Sequence, residues 1–205
     1  MDNLTDVFHE KIDDALHCGA AYADIYVQSA SGHSMHYEDR RVEEVSSSIA
    51  DGCGVRVIVG DKTYYAHSPG TTENSVGKAF EASMRSAFGP VGISASRVGR
   101  EKILESECID SPIDADLLAS IDANVRASSK YVRQVTIKSS LTKKDIMVLK
   151  PNGVMAVDKR HYCSFAVQVI SEKNGVVQTG YERRCMSVPY DLFWFGSSPQ
   201  NIADS

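Results

Sequence analysis

His33-Ser34-Met35-His36 is the first spacing in this sequence that could do chemistry. Two histidines three apart can grip a metal where they share a face. Here they fall in a strand-like stretch, where positions three apart point to opposite faces. No third ligand stands nearby at a recognised spacing, so the two read as surface or turn histidines. His9-Glu10 is the one His-Glu pair, and positions 13 and 14 are both Asp. Neither H-E-x-x-H nor H-E-x-x-x-H is completed, so a helical two-histidine zinc grip is missing. His67 and His161 are isolated and read as structural.

Cys53 sits between Gly52 and Gly54, which invites a nucleophile reading. A nucleophile elbow needs a strand-to-helix turn, and a strand-like run follows here. The glycines read instead as a tight hairpin turn beginning at Asp51-Gly52. Glu38, Asp39, Glu43 and Glu44 surround another hairpin turn and read as solvated charges. Paired carboxylates for acid–base work would need a pocket that sequence does not display. Gly60 and Gly70 make no phosphate loop, since G-x-x-x-x-G-K-[ST] is absent. The residue chemistry therefore nominates no catalytic, cofactor-binding or metal-ligating residue in this chain.

Composition bounds the alternatives. Hydrophobic content of 42% and charged content of 24% suit a soluble globular protein. A net charge of -5 argues against a primary nucleic-acid binder. The basic pairs Arg40-Arg41, Lys143-Lys144, Lys159-Arg160 and Arg183-Arg184 stand near turns or strand ends and read as solvated. No secretory signal is visible in residues 1–20, and no apolar run reaches the ~20 residues of a membrane helix. Five scattered cysteines without C-x-x-C favour reduced thiols and a cytoplasmic location.

The elements that would position any site follow from periodicity. Residues 4–17 predict a helix, with Leu4, Phe8, Ile12, Ala15 and Leu16 on one face and Cys18-Gly19 as its stop. Residues 72–88 predict a second helix with a Thr71 or Thr72 cap and an inner face of Val76, Ala79, Phe80, Ser83, Met84 and Ala87. Residues 114–128 predict a third, capped by Asp114, with Leu117, Leu118, Ile121 and Val125 inward. Between them lie strand candidates at 22–30, 34–38, 41–50, 55–59 and 63–66, then 132–139, 145–150, 153–158, 161–171 and 176–184. Ser198-Pro199 reads as a helix start. The chain ends about one and a half turns later, so the sequence reads as part of a longer protein, with its chemistry beyond Ser205.

The halves match at an offset of about 110 residues. Ile25-Tyr26-Val27-Gln28 corresponds to Val135-Thr136-Ile137-Lys138, and Gly54-Val55-Arg56-Val57-Ile58 to Ala166-Val167-Gln168-Val169-Ile170. The turn 38–41 corresponds to 150–153. The expectation is an α+β fold of two helix-plus-antiparallel-meander repeats, the alternative being chance likeness among strand-like segments. The repeats cover about 1–88 and 112–187 within a domain 1–197, joined by a linker at 89–111; residues 198–205 begin the next element. The two meanders could join edge to edge, since each leaves open strand edges.

The run Gly19 to Gln28, containing Tyr22-Ala23-Asp24, is similar to the N-terminal domain of the TldD/PmbA metallopeptidases. So are Val42-Glu43-Glu44-Val45, Gly52 to Ile58, Gly153 to Arg160, Val167-Gln168-Val169 and Gln178-Thr179-Gly180. The resemblance spans residues 4–204 and looks closer to the TldD branch. It implies a zinc-dependent peptidase of unfolded or short peptides, working with a homologous TldD/PmbA-type subunit as a homo- or hetero-dimer. It further implies that zinc sits on an H-E-x-x-x-H motif in a C-terminal domain, none of which is present here. The family label of DNA gyrase modulator gains no support from an acidic chain. The expected role is substrate and partner binding, with no nucleic acid and no membrane involved. Two alternatives stay open: a stand-alone, non-catalytic binding or assembly module, and a hydrolase using Cys53.

Overall fold

The computed structural model describes residues 2–90, 103–104 and 114–204. Most of the expected linker, with Cys108 and Arg100-Glu101-Lys102, lies outside the described residues, as does the side chain of Leu4. In chain order the elements are α1 (Asp2–His17), β1 (Tyr22–Glu38), β2 (Arg41–Val59), β3 (Lys62–Pro69) and α2 (Glu73–Phe88). Then come α3 (Ala115–Ser128), β4 (Val132–Lys150), β5 (Val154–Lys173), β6 (Val176–Met186), α4 (Tyr190–Phe193) and α5 (Pro199–Ala203). A helix followed by strands thus occurs twice, as the duplication predicts, with three long strands in each half where the sequence suggests four or five short ones. The strands form a six-stranded sheet in the order β3-β2-β1-β4-β5-β6, an antiparallel α+β architecture.

The helix ends follow their caps. Thr72 Oγ1 accepts from Ser75 N at 3.2 Å to open α2, and Asp114 Oδ1 accepts from Asp116 N at 2.9 Å to open α3. Ser198 Oγ accepts from Asn201 N, with Pro199 at the first helical position of α5. α1 stops where Gly19 takes φ 104°. The strand turns are as tight as the sequence suggests. Gly60 supplies φ 60° between β2 and β3, and Asn174-Gly175 supplies two positive φ values between β5 and β6. Between β1 and β2 the same conformation falls on Asp39 and Arg40, residues with a Cβ to accommodate.

Three breaks expected from sequence are absent. The stretches 31–33, 140–144 and 159–160 run inside β1, β4 and β5 as continuous strand. For β1 and β4 the reason lies on the inward rows, where Ser29, Ser31 and Ser139 replace apolar residues yet are buried, while around 159–160 β5 is exposed at every residue and shows no apolar row. A polar residue at a buried position hides the period-two signal. Gly52-Cys53-Gly54 is likewise no hairpin turn. It lies within β2, opposite Pro69, Ser68 and His67 of β3. Its glycines have no positive φ; a Cβ on Gly54 would stand 2.3 Å from the Tyr65 hydroxyl, so the glycine makes room for that ring.

Two compact units divide the chain. One comprises Met1–Ala30, Ile49–Glu107 and Lys144–Lys159. Its core joins Phe8, Ile12 and Ala15 of α1 to Val76, Phe80 and Met84 of α2, over Ile25, Val27, Val55, Val57 and Leu149. Lys11 lays its ammonium over the Phe80 ring at 5.4 Å, which lets a buried lysine keep a favourable contact. The other unit comprises Ser31–Ser48, Cys108–Lys143 and Arg160–Ser205. There Leu118, Ile121 and Val125 of α3 cover Met35, Tyr37, Val135, Ile137, Phe165 and Val167. Phe193 and Trp194 close that core, with Trp194 edge-on to Phe165 at 5.2 Å.

Candidate functional site

In the second unit, the residues alternating with the core make a polar face, as expected of an antiparallel sheet covered on one side. A concavity of about 390 Å³ lies on it. Each strand of the unit contributes: Glu44 from β2, His36 from β1, Lys138 and Ser140 from β4, Ser164 from β5, Arg183 from β6. Ala166 and the serines keep the floor low, while Tyr181 and Arg183 rise at the β6 end. Arg183 Nε donates to Ser164 Oγ at 3.2 Å, which draws the guanidinium toward β5. The Cys185 thiol points to the same Ser164 oxygen at 3.5 Å.

The histidines of the H-x-x-H spacing part as strand geometry requires. His33 Nδ1 meets Ser47 Oγ at 3.1 Å, and His36 Nε2 lies 3.4 Å from Glu38 Oε2. His67 stacks on Tyr65 in the other unit, with ring centroids 6.3 Å apart. Glu43 pairs with Arg41 on the surface, and Asp39 accepts from Arg126. Among the described residues, no group of three or more His, Cys, Asp or Glu side chains could hold a metal ion. Cys53 is buried, its Sγ directed at Ser68 O at 3.6 Å, and burial pushes its thiol pKa up. Burial does the same to Cys163. A reactive cysteine needs the opposite shift, so the structure gives the Cys53 hydrolase no activated thiolate.

Two charged clusters escaped the sequence reading. In the first unit, Arg56 grips Asp24 with both Nε and Nη2, and Tyr22 donates its hydroxyl to the same carboxylate at 3.3 Å. The guanidinium lies over the Tyr22 ring at 5.5 Å. Hydrogen bonding to Asp24 raises the Arg56 pKa; burial, then the Asp24 charge, raises that of Tyr22. These are the residues of Tyr22-Ala23-Asp24 and Gly54-Val55-Arg56, so that signature ties β1 to β2. In the second unit, Arg126 Nε donates to both oxygens of buried Asp122, at 3.0 and 3.1 Å. Its other nitrogens reach Arg133 O and Asp39 Oδ1, both at 3.0 Å. Arg126 thereby holds the strained Asp39 turn. Period two along β1 puts Tyr22 and Asp24 on one face, a signal by which that cluster could have been found; nothing local marks Asp122 and Asp39 as partners of Arg126.

Two stretches of backbone are also open, one in β2 and one in β5 from Val154 to Tyr162, which β6 does not cover. β3 pairs with β2 only from Gly52 to Val59. From Arg41 to Ala50, β2 is exposed at every residue, and its side away from β1 has no strand neighbour among the described residues. Among those residues no helix is long and apolar enough to cross a membrane.

Comparison with known proteins places this architecture. The description PmbA/TldA metallopeptidase domain 1 fits residues 23–87, and PmbA/TldA metallopeptidase central domain fits 102–204. The chain is 27% identical over 188 residues to a metalloprotease TldD homolog of Haemophilus influenzae, covering 87% of this chain and 37% of that protein. It is 25% identical over 179 residues to one from Buchnera aphidicola subsp. Schizaphis graminum, covering 84% and again 37%. The chain therefore spans little more than a third of the curated relatives it matches. TldE from Thermococcus kodakarensis shares the fold, with a TM-score of 0.70 at 13% identity over 96% of this chain and 45% of its own. With both domain descriptions matched in order along the sequence, the chain belongs to the PmbA/TldD metallopeptidase family and corresponds to its first and central domains.

Proposed function

We propose that this chain is the N-terminal substrate- and partner-binding portion of a TldD-like zinc metallopeptidase that acts on unfolded or short peptides. The catalytic H-E-x-x-x-H motif, absent from the sequence, and its zinc are assigned outside these residues; among the described residues no side chains offer a fitting donor set. Zinc supplies polarised water in such an enzyme; the residues of this chain bind. Dimerisation with a homologous TldD/PmbA-type subunit and a cytoplasmic location complete the reading. The thiols of Cys18, Cys53, Cys163 and Cys185 are unpaired, as suits a reducing compartment.

The observation that carries this reading is the open outer edge of β2 from Arg41 to Ser48. An extended peptide adds to such an edge through main-chain hydrogen bonds, which tolerate many side-chain sequences. That tolerance is what a peptidase of unfolded segments needs. Val42 and Val45 offer apolar footing along it. Hydrogen exchange on the chain with an unstructured peptide, alone and with a homologous subunit present, tests the proposal. New protection of backbone amides within 41–48 is expected, while a folded control protein and duplex DNA give none. Absence of protection in 41–48 even with the subunit present rules out edge addition.

A further inference from the structure

The polar concavity of the second unit carries two cations with no carboxylate partner. Lys138 on β4 and Arg183 on β6 flank β5, and among the described residues neither has an acidic side chain within 4.0 Å. Strands two apart in a sheet are separated by roughly 10 Å, a gap that two long side chains can close from either side. On β5 and β6, Arg183 is opposite Ala166 and Cys185 opposite Ser164, so these four share one face, and Lys138 lines the same concavity. Ser164 Oγ accepts from Arg183 Nε and holds the guanidinium over that floor. Arg183 itself lines the concavity. Small floor residues, Ser140, Ser164 and Ala166, leave space between the two charges.

Other charges bias the same place. Glu44 lines the concavity from β2 and His36 from β1, both on the far side of Lys138 from β5. A bound anion is thus repelled from the β2 end and drawn toward β5. The concavity reaches both edge strands of this unit, so a chain can pass across it rather than end in it. A polyanion is disfavoured by the net charge of -5.

From this we infer that the cleft over β5, between Lys138 and Arg183, is a seat for a carboxylate side chain of an extended acidic peptide segment. The inference rests on the peptide-binding reading and adds a preference for Glu or Asp that edge addition alone does not supply.

The experiment compares two unstructured peptides, one with a central Glu and one with Gln in its place. Both are acetylated and amidated, so no terminal charge competes. Each is titrated by fluorescence anisotropy against the chain, against Lys138→Gln/Arg183→Gln, and against Lys62→Gln, a control far along the sequence on β3. Melting curves check that every variant is folded. The Glu peptide should bind about two- to fivefold more tightly, the scale of exposed charge pairing. The double variant should lose that preference while its affinity for the Gln peptide stays the same; the control should keep it. Equal binding of the two peptides overturns the seat and leaves peptide binding standing. Each titration is repeated with the homologous subunit present, and binding of neither peptide in either condition overturns both readings. A preference that survives in the double variant, or tighter binding of a single-stranded oligonucleotide than of the Glu peptide, overturns the seat as assigned.

Discussion

At the scale of single residues, burial decides which ion pairs matter. Arg41 and Glu43 are in contact, but the arginine side chain is 75% exposed. Such a pair contributes at most a few tenths of a kcal/mol. Arg126 is different: its partner Asp122 is 3% exposed, and two further hydrogen bonds leave the same guanidinium. Removing the arginine strands a carboxylate away from water and releases the turn at Asp39. Arg126→Ala is therefore expected to cost about 3 kcal/mol in chemical denaturation, whereas Arg41→Ala stays within about 0.5 kcal/mol. Equal losses from the two substitutions would show that Asp122 finds another partner or water. The Asp24–Arg56 pair follows the same logic at intermediate strength, since Arg56 is 46% exposed while Asp24 is 12%.

At the scale of elements, the helices were readable and the strand lengths were not. α1, α2 and α3 declare themselves through apolar period and caps, and Phe8, Ile12, Val76, Phe80, Leu118 and Ile121 are buried as that period requires. The strands carry serines on inward positions, and a glycine pair inside β2 imitates a turn. What a glycine does in β2 is visible only through its neighbour on β3, which local sequence does not specify. This gives an ordered expectation for three valine substitutions. A Cβ on Gly52 meets Ser68 O at 3.6 Å, an ordinary contact, so Gly52→Val should be near neutral. Gly54→Val must push the Tyr65 ring aside; that ring is exposed and can swing, so roughly 1 kcal/mol is expected. Gly60→Val forces a β-branched residue to φ 60° and should cost the most, about 2 kcal/mol. Thermal melts rank them, and a Gly52→Val variant less stable than Gly60→Val contradicts a continuous β2.

At the scale of the whole molecule, the duplication was legible because repeated strands kept their apolar rows: Ile25 and Val27 against Val135 and Ile137, all fully buried. The candidate surface was not legible. Its residues come from five strands, and Lys138 and Arg183 become neighbours only through the order β4-β5-β6. Each alone reads as a solvated charge. The same scale governs activity. Hydrolysis by a metal centre needs several donors on one constellation and a general base beside it. The six histidines of this chain include no H-E-x-x-x-H spacing, and the two closest in sequence, His33 and His36, turn to different partners. Purified on its own and supplied with zinc and an unfolded protein, the chain is expected to leave that protein intact, as read by gel and mass spectrometry. Cleavage that persists through repurification and stops on adding a chelator would locate a metal centre within these residues and overturn the division of labour proposed for them.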